Sequence, residues 1–190
     1  PFSICRGISI PRLPTAPRLV DPTNAHEWDK ATELDMQSDV KVKIGHHGGN
    51  LYLRVQVPDT TRYRKSNCNL WTGDSVELFL DAEPLNMMNE PRYRDPVTVQ
   101  LIFAPQSGEF PEMTEGGTSL HRRLIERRFH ITKKGYLFLA RIPLRQLYFD
   151  PHGIFGFDLK VNDFDTAGNL RYSSSWSRSA LNYKNRFVFG

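Results

Sequence analysis

The chain has 190 residues, 39% hydrophobic and 24% charged, with a formal net charge of +4. That length suits one large domain, able to bury about 70% of the surface its unfolded chain would expose, so no staples are needed. No run approaches the roughly 18 apolar residues of a membrane helix, and the opening Pro1-Phe2-Ser3-Ile4-Cys5-Arg6 lacks the apolar core of a signal peptide; the chain reads as a mature chain or excised domain with no membrane partner.

The first stretch, residues 1–17 with Pro11, Pro14 and Pro17, reads as a linker or edge segment, leaving residues 18–190 as a single domain. Period-two alternation then predicts strands over Val40–Ile44 and Leu51–Val57. His46-His47-Gly48-Gly49-Asn50 between them reads as a hairpin connection, which makes those strands antiparallel neighbours. A short turn is expected near Thr60–Lys65. Trp71 follows Asn69-Leu70 and precedes the turn formers Thr72-Gly73-Asp74, so its indole belongs on a loop or strand edge. The next strand, Val76–Leu80, gives Val76, Leu78 and Leu80 to one face and Glu77 and Phe79 to the other. Residues from Asp81 to Asp95 read as a long loop, Val97–Phe103 as a strand, and Ala104 to Thr118 as a second long loop.

Basic groups crowd the following segment, with His121-Arg122-Arg123, Arg127-Arg128, His130, Lys133 and Lys134. Leu124, Ile125, Phe129 and Ile131 lie among them in strand-like order, which favours a solvated strand face over a nucleic-acid patch. Gly135–Ile142 and Phe155–Val161 are further strands, with a short turn over Pro143–Leu147. Trp176, mid-strand within Ser173-Ser-Ser-Trp-Ser177, reads as a core residue. Many short antiparallel strands with few helical turns predict an all-β antiparallel sandwich of jelly-roll type.

Catalytic signatures are missing. Glu77 and Asp81 share a strand face, but four residues separate them by about 13 Å, beyond the roughly 5–9.5 Å of paired glycosidase carboxylates. There is no nucleophile elbow or phosphate-cradling glycine loop. Cys5 and Cys68 lack metal-ligand spacing, and one disulfide or two buried thiols both remain open. His46-His47 sits on a glycine-rich tip and reads as plain turn. The residues fit sugar binding better: a pyranose needs a flat ring for its apolar face, which Trp71 supplies, and polar groups for its hydroxyl edge. Glu77 can accept two hydroxyls, and the stretch around Asn162, Arg171, Asn182 and Tyr183 adds donors, an amide and a second ring.

Trp71-x-x-Asp74-Ser75-Val76-Glu77-Leu-Phe-Leu-Asp81, Gly135-Tyr136 leading to Ile142-Pro143, Gly156-Phe157 through Asn162-Asp163, Arg171, Trp176-Ser177 and Phe189-Gly190 together resemble carbohydrate-binding modules of family 9. Leu19-Val20-Asp21 with Trp28, and Leu51-Tyr52-Leu53 before Asp59, resemble the family's opening strands, so the likeness spans nearly the whole chain. It implies a jelly-roll sandwich that clamps a terminal glucan or xylan sugar between two rings. Trp71 would be the first ring, Glu77 a hydroxyl acceptor and Arg171 the sugar-binding arginine. Two positions depart from the family: Tyr183 stands where the best-known modules carry tryptophan, and Gln100 about where an arginine is expected. Asn182 completes the implied sugar set. Structural calcium is also implied, with Asp163 and Asp165 on a tight loop as its ligands, although that loop reads equally well as an Asx-rich turn.

The expectation is therefore a monomeric, secreted, non-catalytic module that requires no cofactor, binds an oligosaccharide or polysaccharide chain end, and is attached to a glycoside hydrolase domain. Two rivals remain. A b-type haem domain of the same fold could draw axial ligands from Met87, Met88, Met113, His121 and His130. A degenerate module could serve as a spacer or interaction domain.

Overall fold

A computed structural model of the chain describes residues 8–36, 38–59, 61, 70–82, 98–104, 112–113, 124–147, 149–150 and 153–177. Their strands are β1 (Thr32–Leu34), β2 (Lys41–His47), β3 (Asn50–Pro58), β4 (Ser75–Asp81), β5 (Thr98–Phe103), β6 (Glu112–Met113), β7 (Glu126–Thr132), β8 (Gly135–Pro143), β9 (Gly156–Phe164) and β10 (Leu170–Ser175). They form two five-stranded sheets, ordered β1-β2-β3-β8-β7 and β10-β9-β4-β5-β6, with antiparallel pairing throughout. One-turn 3-10 segments lie at Ala25–Trp28, Leu70–Thr72 and Leu144–Leu147. No described helix is long and apolar enough to cross a membrane.

The all-β sandwich read from alternation is the observed fold. Gly48 and Gly49, both at positive φ, form the two-residue tip between β2 and β3, where paired positive φ matches the twist of the flanking strands. The inward residues Val76, Leu78 and Leu80 of β4 are fully buried against the opposing sheet. Phe138 of β8 bridges the two layers, 4.8 Å from Phe103 and 4.8 Å from Phe129.

A second apolar cluster covers the outer face of the first sheet, joining Leu13, Leu19 and Trp28 to Tyr52, Leu137 and Leu139. Within the stretch expected to be linker or edge, Pro11 and Leu13 exchange backbone hydrogen bonds with His46, and Leu13 is fully buried. Its side chain lies so close over Gly45 that a Cβ there would meet Leu13 at 2.6 Å.

Three local expectations are corrected. Trp176 is the buried core residue it was read to be, edge-on to Phe157, but it lies one residue beyond β10 rather than mid-strand. The strand expected over Phe155–Val161 runs from Gly156 to Phe164, so Asn162 and Asp163 lie inside β9. The loop expected over Ala104–Thr118 contains the short strand β6, pairing at Leu101 and Ile102. The expected loop after Asp81 and the cysteines Cys5 and Cys68 fall outside the described residues, apart from Asp81 and Ala82.

Removing the Leu13 side chain would uncover Trp28 and Tyr52, so Leu13→Ala is expected to cost about 2–5 kcal/mol. Urea unfolding should show a lower midpoint with an unchanged slope.

Candidate functional site

β4 is buried along its whole length, on its outward face as well as its core face. Outward residues Ser75, Glu77 and Phe79 stand opposite Asn162, Lys160 and Asp158 of β9, and Gln100 of β5 lies opposite Phe79. Because alternate residues share a face, these polar side chains meet on the outside of the second sheet.

The centre is Glu77, only 2% exposed. Its Oε2 accepts from Gln100 Nε2 at 2.7 Å, and its Oε1 accepts from Asn162 Nδ2 at 2.6 Å. Lys160 Nζ lies 3.3 Å from Oε1 and supplies the compensating charge. Asn162 also donates to Ser75 Oγ and accepts from Ser173 Oγ, which fixes its amide orientation. A buried carboxylate held by an ammonium and two amides is a charge-assisted network in which each partner restricts the others' rotamers.

The 3-10 turn carrying Trp71 packs on β4 and β5. Leu70 anchors it against Ile102 and Ala104, while the Trp71 side chain points outward at 37% exposure. An anchored but exposed indole beside a polar network can stack on a flat ligand whose edge carries hydroxyls.

Of the expected sugar residues, the structure brings Glu77 and Gln100 into direct contact and sets the Trp71 turn on the same two strands. Asn182 and Tyr183 fall outside the described residues. Arg171 turns elsewhere: its guanidinium donates to Thr61 Oγ1 at 3.0 Å and lies 3.5 Å from Asp163 and 3.9 Å from Asp59. A register shift between Leu170 and Tyr172 accompanies this placement. Lys160, Ser75 and Ser173 were missed by the sequence reading, and Asn162 was read only as a nearby amide. Their signal was the outward period-two phase of β9, legible only once its register with β4 is known.

The two expected metal ligands also part company. Asp165 is half-buried, and its carboxylate accepts from the backbone N–H of Ala167 and Asn169 and from the Asn169 amide. These bonds hold its carboxyl below the usual range, as in an Asx-type turn. Asp163, 1% exposed, instead meets Asp59 and Asp74, with one carboxylate oxygen from each lying within 4.8 Å of the others. At an effective dielectric of about 20, each ionised pair at such a distance repels by roughly 3–4 kcal/mol. Burial and the neighbouring Asp59 push the Asp163 carboxyl up to about 6, against the pull of Arg171. Tyr136 and Tyr172 stand beside the same carboxylates, and burial raises both phenols.

Of the haem-ligand candidates, Met87, Met88 and His121 lie outside the described residues, and His130 Nε2 lies 2.9 Å from the Leu19 carbonyl. The basic segment from Glu126 to Thr132 is the edge strand β7, with Phe129 turned toward Tyr136 and Phe138.

An exposed ring anchored beside a buried polar network on a two-sheet sandwich is the arrangement expected of a carbohydrate-binding module. The chain belongs to the family described as carbohydrate family 9 binding domain-like, whose profile matches residues 17–190. It is 31% identical over 185 residues to endo-1,4-beta-xylanase C of Paenibacillus barcinonensis, a match covering 90% of this chain and 16% of that protein. With endo-1,4-beta-xylanase A of Thermotoga neapolitana it shares 26% identity over 144 residues, 76% of this chain and 13% of the relative. The chain thus spans about a sixth or less of the curated relatives it matches. Its fold matches a family 9 carbohydrate-binding module from Caldicellulosiruptor kristjanssonii in complex with glucose, at TM-score 0.74 and 19% identity, covering 96% of this chain and 92% of the other. A module from the same organism in complex with cellotriose matches at TM-score 0.69 and 18% identity, covering 95% and 90%.

Asn162→Ala would leave Glu77 Oε1 and Ser75 without their shared donor, and should cost about 1–3 kcal/mol in urea unfolding. The pH response of Asp163 has the opposite sign from that of a paired carboxylate. Its folded pKa of about 6 exceeds the ordinary 3.8, so between these values the folded state holds a proton the unfolded state has lost. In chelator, this group's contribution to stability should weaken as pH rises from about 4 to about 6, and Asp163→Asn should flatten that part of the melting-temperature profile. The groups around it are Asp59 after β3, Asp74 before β4, Tyr136 on β8 and Arg171 and Tyr172 on β10.

Proposed function

We propose that the chain is a non-catalytic module that holds the terminal sugar of a plant-type glucan or xylan, with Trp71 on the pyranose face and Glu77 on its hydroxyls. The observation that carries this reading is the Glu77 carboxylate, fixed by Gln100, Asn162 and Lys160 beneath the turn that presents Trp71. Each carboxylate oxygen has two acceptor directions; Oε1 meets Asn162 and Lys160 while Oε2 takes Gln100, so Oε2 is the oxygen proposed to take a sugar hydroxyl while the protein donors are kept. Gln100 has a role as the residue that orients Glu77, in place of the fork donor expected of an arginine. Tyr183 and Asn182 are the proposed second ring and amide.

Catalysis is disfavoured by the same geometry. Glu77 is engaged on both oxygens, and Asp81 lies on the same strand about 13 Å away, too far for a paired acid and base. The relatives are xylanases much longer than this chain, which supports a role in tethering an attached polysaccharide-degrading domain outside the cytoplasm and raising its local concentration on the substrate. Glucose and cellotriose in the neighbouring structures support a gluco-configured sugar as first choice.

Isothermal titration with glucose, cellotriose and xylo-oligosaccharides tests the reading. Trp71→Ala is expected to weaken binding at least tenfold, the loss of a stacking face. Full affinity in Trp71→Ala, or no heat with any of these sugars, would remove the site.

A further inference from the structure

The first sheet borders a cavity that the sugar reading leaves unused. Its volume is about 600 Å³, within the roughly 300–1,000 Å³ of small-molecule sites. Around the Gly48-Gly49 tip it is lined by Arg12, Arg141 and Arg145, together with Asn50 and Gln146. Three separate segments bring the arginines there, each on hydrogen-bonded backbone. Arg12 lies between Pro11, whose carbonyl accepts from the His46 N–H at 2.9 Å, and Leu13, whose N–H donates to the His46 carbonyl at 2.8 Å. Arg141 stands opposite Tyr52 in the β3–β8 ladder, and Arg145 follows Leu144, whose N–H donates to the Gly49 carbonyl at 3.1 Å. The Glu77 network belongs to the other sheet, so the two places are built from different strands.

No aspartate or glutamate is among the described residues lining this cavity. Arg141 has a carboxylate beside it, with Nε 3.1 Å from Glu126 Oε2. Arg12 and Arg145 have no ion-pair partner among the described residues. Guanidiniums gathered around one space repel each other, and an anion between them reverses the sign of that interaction. The neutral lining groups add a second requirement. Asn50 Nδ2 donates to the carbonyls of His47 and Gly48 at 3.3 Å and 3.1 Å, which leaves its Oδ1 as an acceptor without a donor among the described residues. The exposed Gln146 supplies a further amide. No phenylalanine, tyrosine or tryptophan is among the described lining residues, so a neutral sugar would find no ring to stack on.

We propose that this cavity binds a hydroxylated carboxylate, a uronic-acid unit of an acidic oligosaccharide, with Arg12, Arg141 and Arg145 on its carboxylate groups. A guanidinium presents its N–H donors as a planar fork that matches the two oxygens of a carboxylate. Asn50 Oδ1 and the Gln146 amide then serve the ring hydroxyls, which both donate and accept. An inorganic anion would fill only a small part of the volume. The site shares no residue with the Trp71 and Glu77 surroundings and does not rest on the sugar reading made there.

The test is a titration of the full chain with trigalacturonate at low salt, followed by amide chemical shifts in solution NMR. Saturable shifts are expected at Gly48, Gly49 and Asn50 and on the segment around Arg145, weakening as sodium chloride is added. Cellotriose, the neutral control, should leave those amides unmoved, and inorganic phosphate should bind more weakly than trigalacturonate. The double variant Arg12→Gln, Arg145→Gln changes two exposed side chains, and an unchanged melting temperature would confirm its fold. It should weaken trigalacturonate by about tenfold, the loss of charge-assisted hydrogen bonds, while Trp71→Ala should bind it like the parent chain. Absence of shifts around Gly48, or equal shifts there with cellotriose, would overturn the proposal. So would phosphate binding as tightly as trigalacturonate, which would reduce the cavity to a simple anion patch, or full affinity in the folded double variant. Trigalacturonate binding lost in Trp71→Ala would place the anion at the other sheet and overturn it as well, whereas cellotriose binding lost there with the Gly48 shifts intact would support two separate sites.

Discussion

The antiparallel register of β4 against β9 decides what each face of the second sheet can do. Ser75 pairs with Asn162 and Glu77 with Lys160, so two carboxylate partners arrive from a neighbouring strand already facing Glu77. Neighbouring residues on a strand point to opposite faces, and therefore Asn162 serves the outer network while Asp163 serves the acidic group behind it. A one-residue slip would exchange them, placing Asp163 beside Glu77 and withdrawing the amide. Hydrophobic burial of Val76, Leu78, Leu80, Leu159 and Val161 opposes that slip, because the same shift would turn the aliphatic face outward.

The two carboxylate environments on either side of this strand pair solve the cost of burial differently. Glu77 has a complete local solution, with a lysine for its charge and two amides for its lone pairs. Such a network fixes geometry before any ligand arrives, which lowers the ordering cost of binding. Asp59, Asp74 and Asp163 are met differently: backbone N–H groups of Thr61 and Phe164 reach Asp59 and Asp74, Arg171 lies near Asp59 and Asp163, and burial beside Asp59 pushes the Asp163 carboxyl up to about 6.

Much of the sandwich was legible because its signal is local. Strands β2, β3, β4, β8 and β9 alternate aliphatic with polar residues, and the Gly48-Gly49 tip carries its own turn chemistry. The short strands β1 and β6 carry too few residues for a period to show. At the site, Trp71 and Glu77 stood out because a ring in a turn and a carboxylate on an aliphatic strand are both exceptions to pattern. Lys160 did not, since a lysine on the outward phase of a strand is the ordinary solvent-facing residue. Its pairing with Glu77 is set by register across more than eighty residues of chain, which composition and period do not carry. Asp59 and Asp74 escaped for a related reason. Each reads locally as a strand-end or turn aspartate, and only the meeting of β3, β4 and β9 makes them a group.

That meeting also ties the acidic group to the surroundings of Trp71 and Glu77. Asp74 follows Trp71 by three residues in the same turn, and Asp163 is the chain neighbour of Asn162, which orients Glu77. Any charge that draws Asp74 and Asp163 together acts on the base of the Trp71 turn and on the end of β9 at once. Trp71 and Glu77 are thereby tied to a common frame rather than to separate loops. Because a sugar face and a hydroxyl edge must be met simultaneously, holding their partners on one frame matters more for affinity than adding a further contact to either.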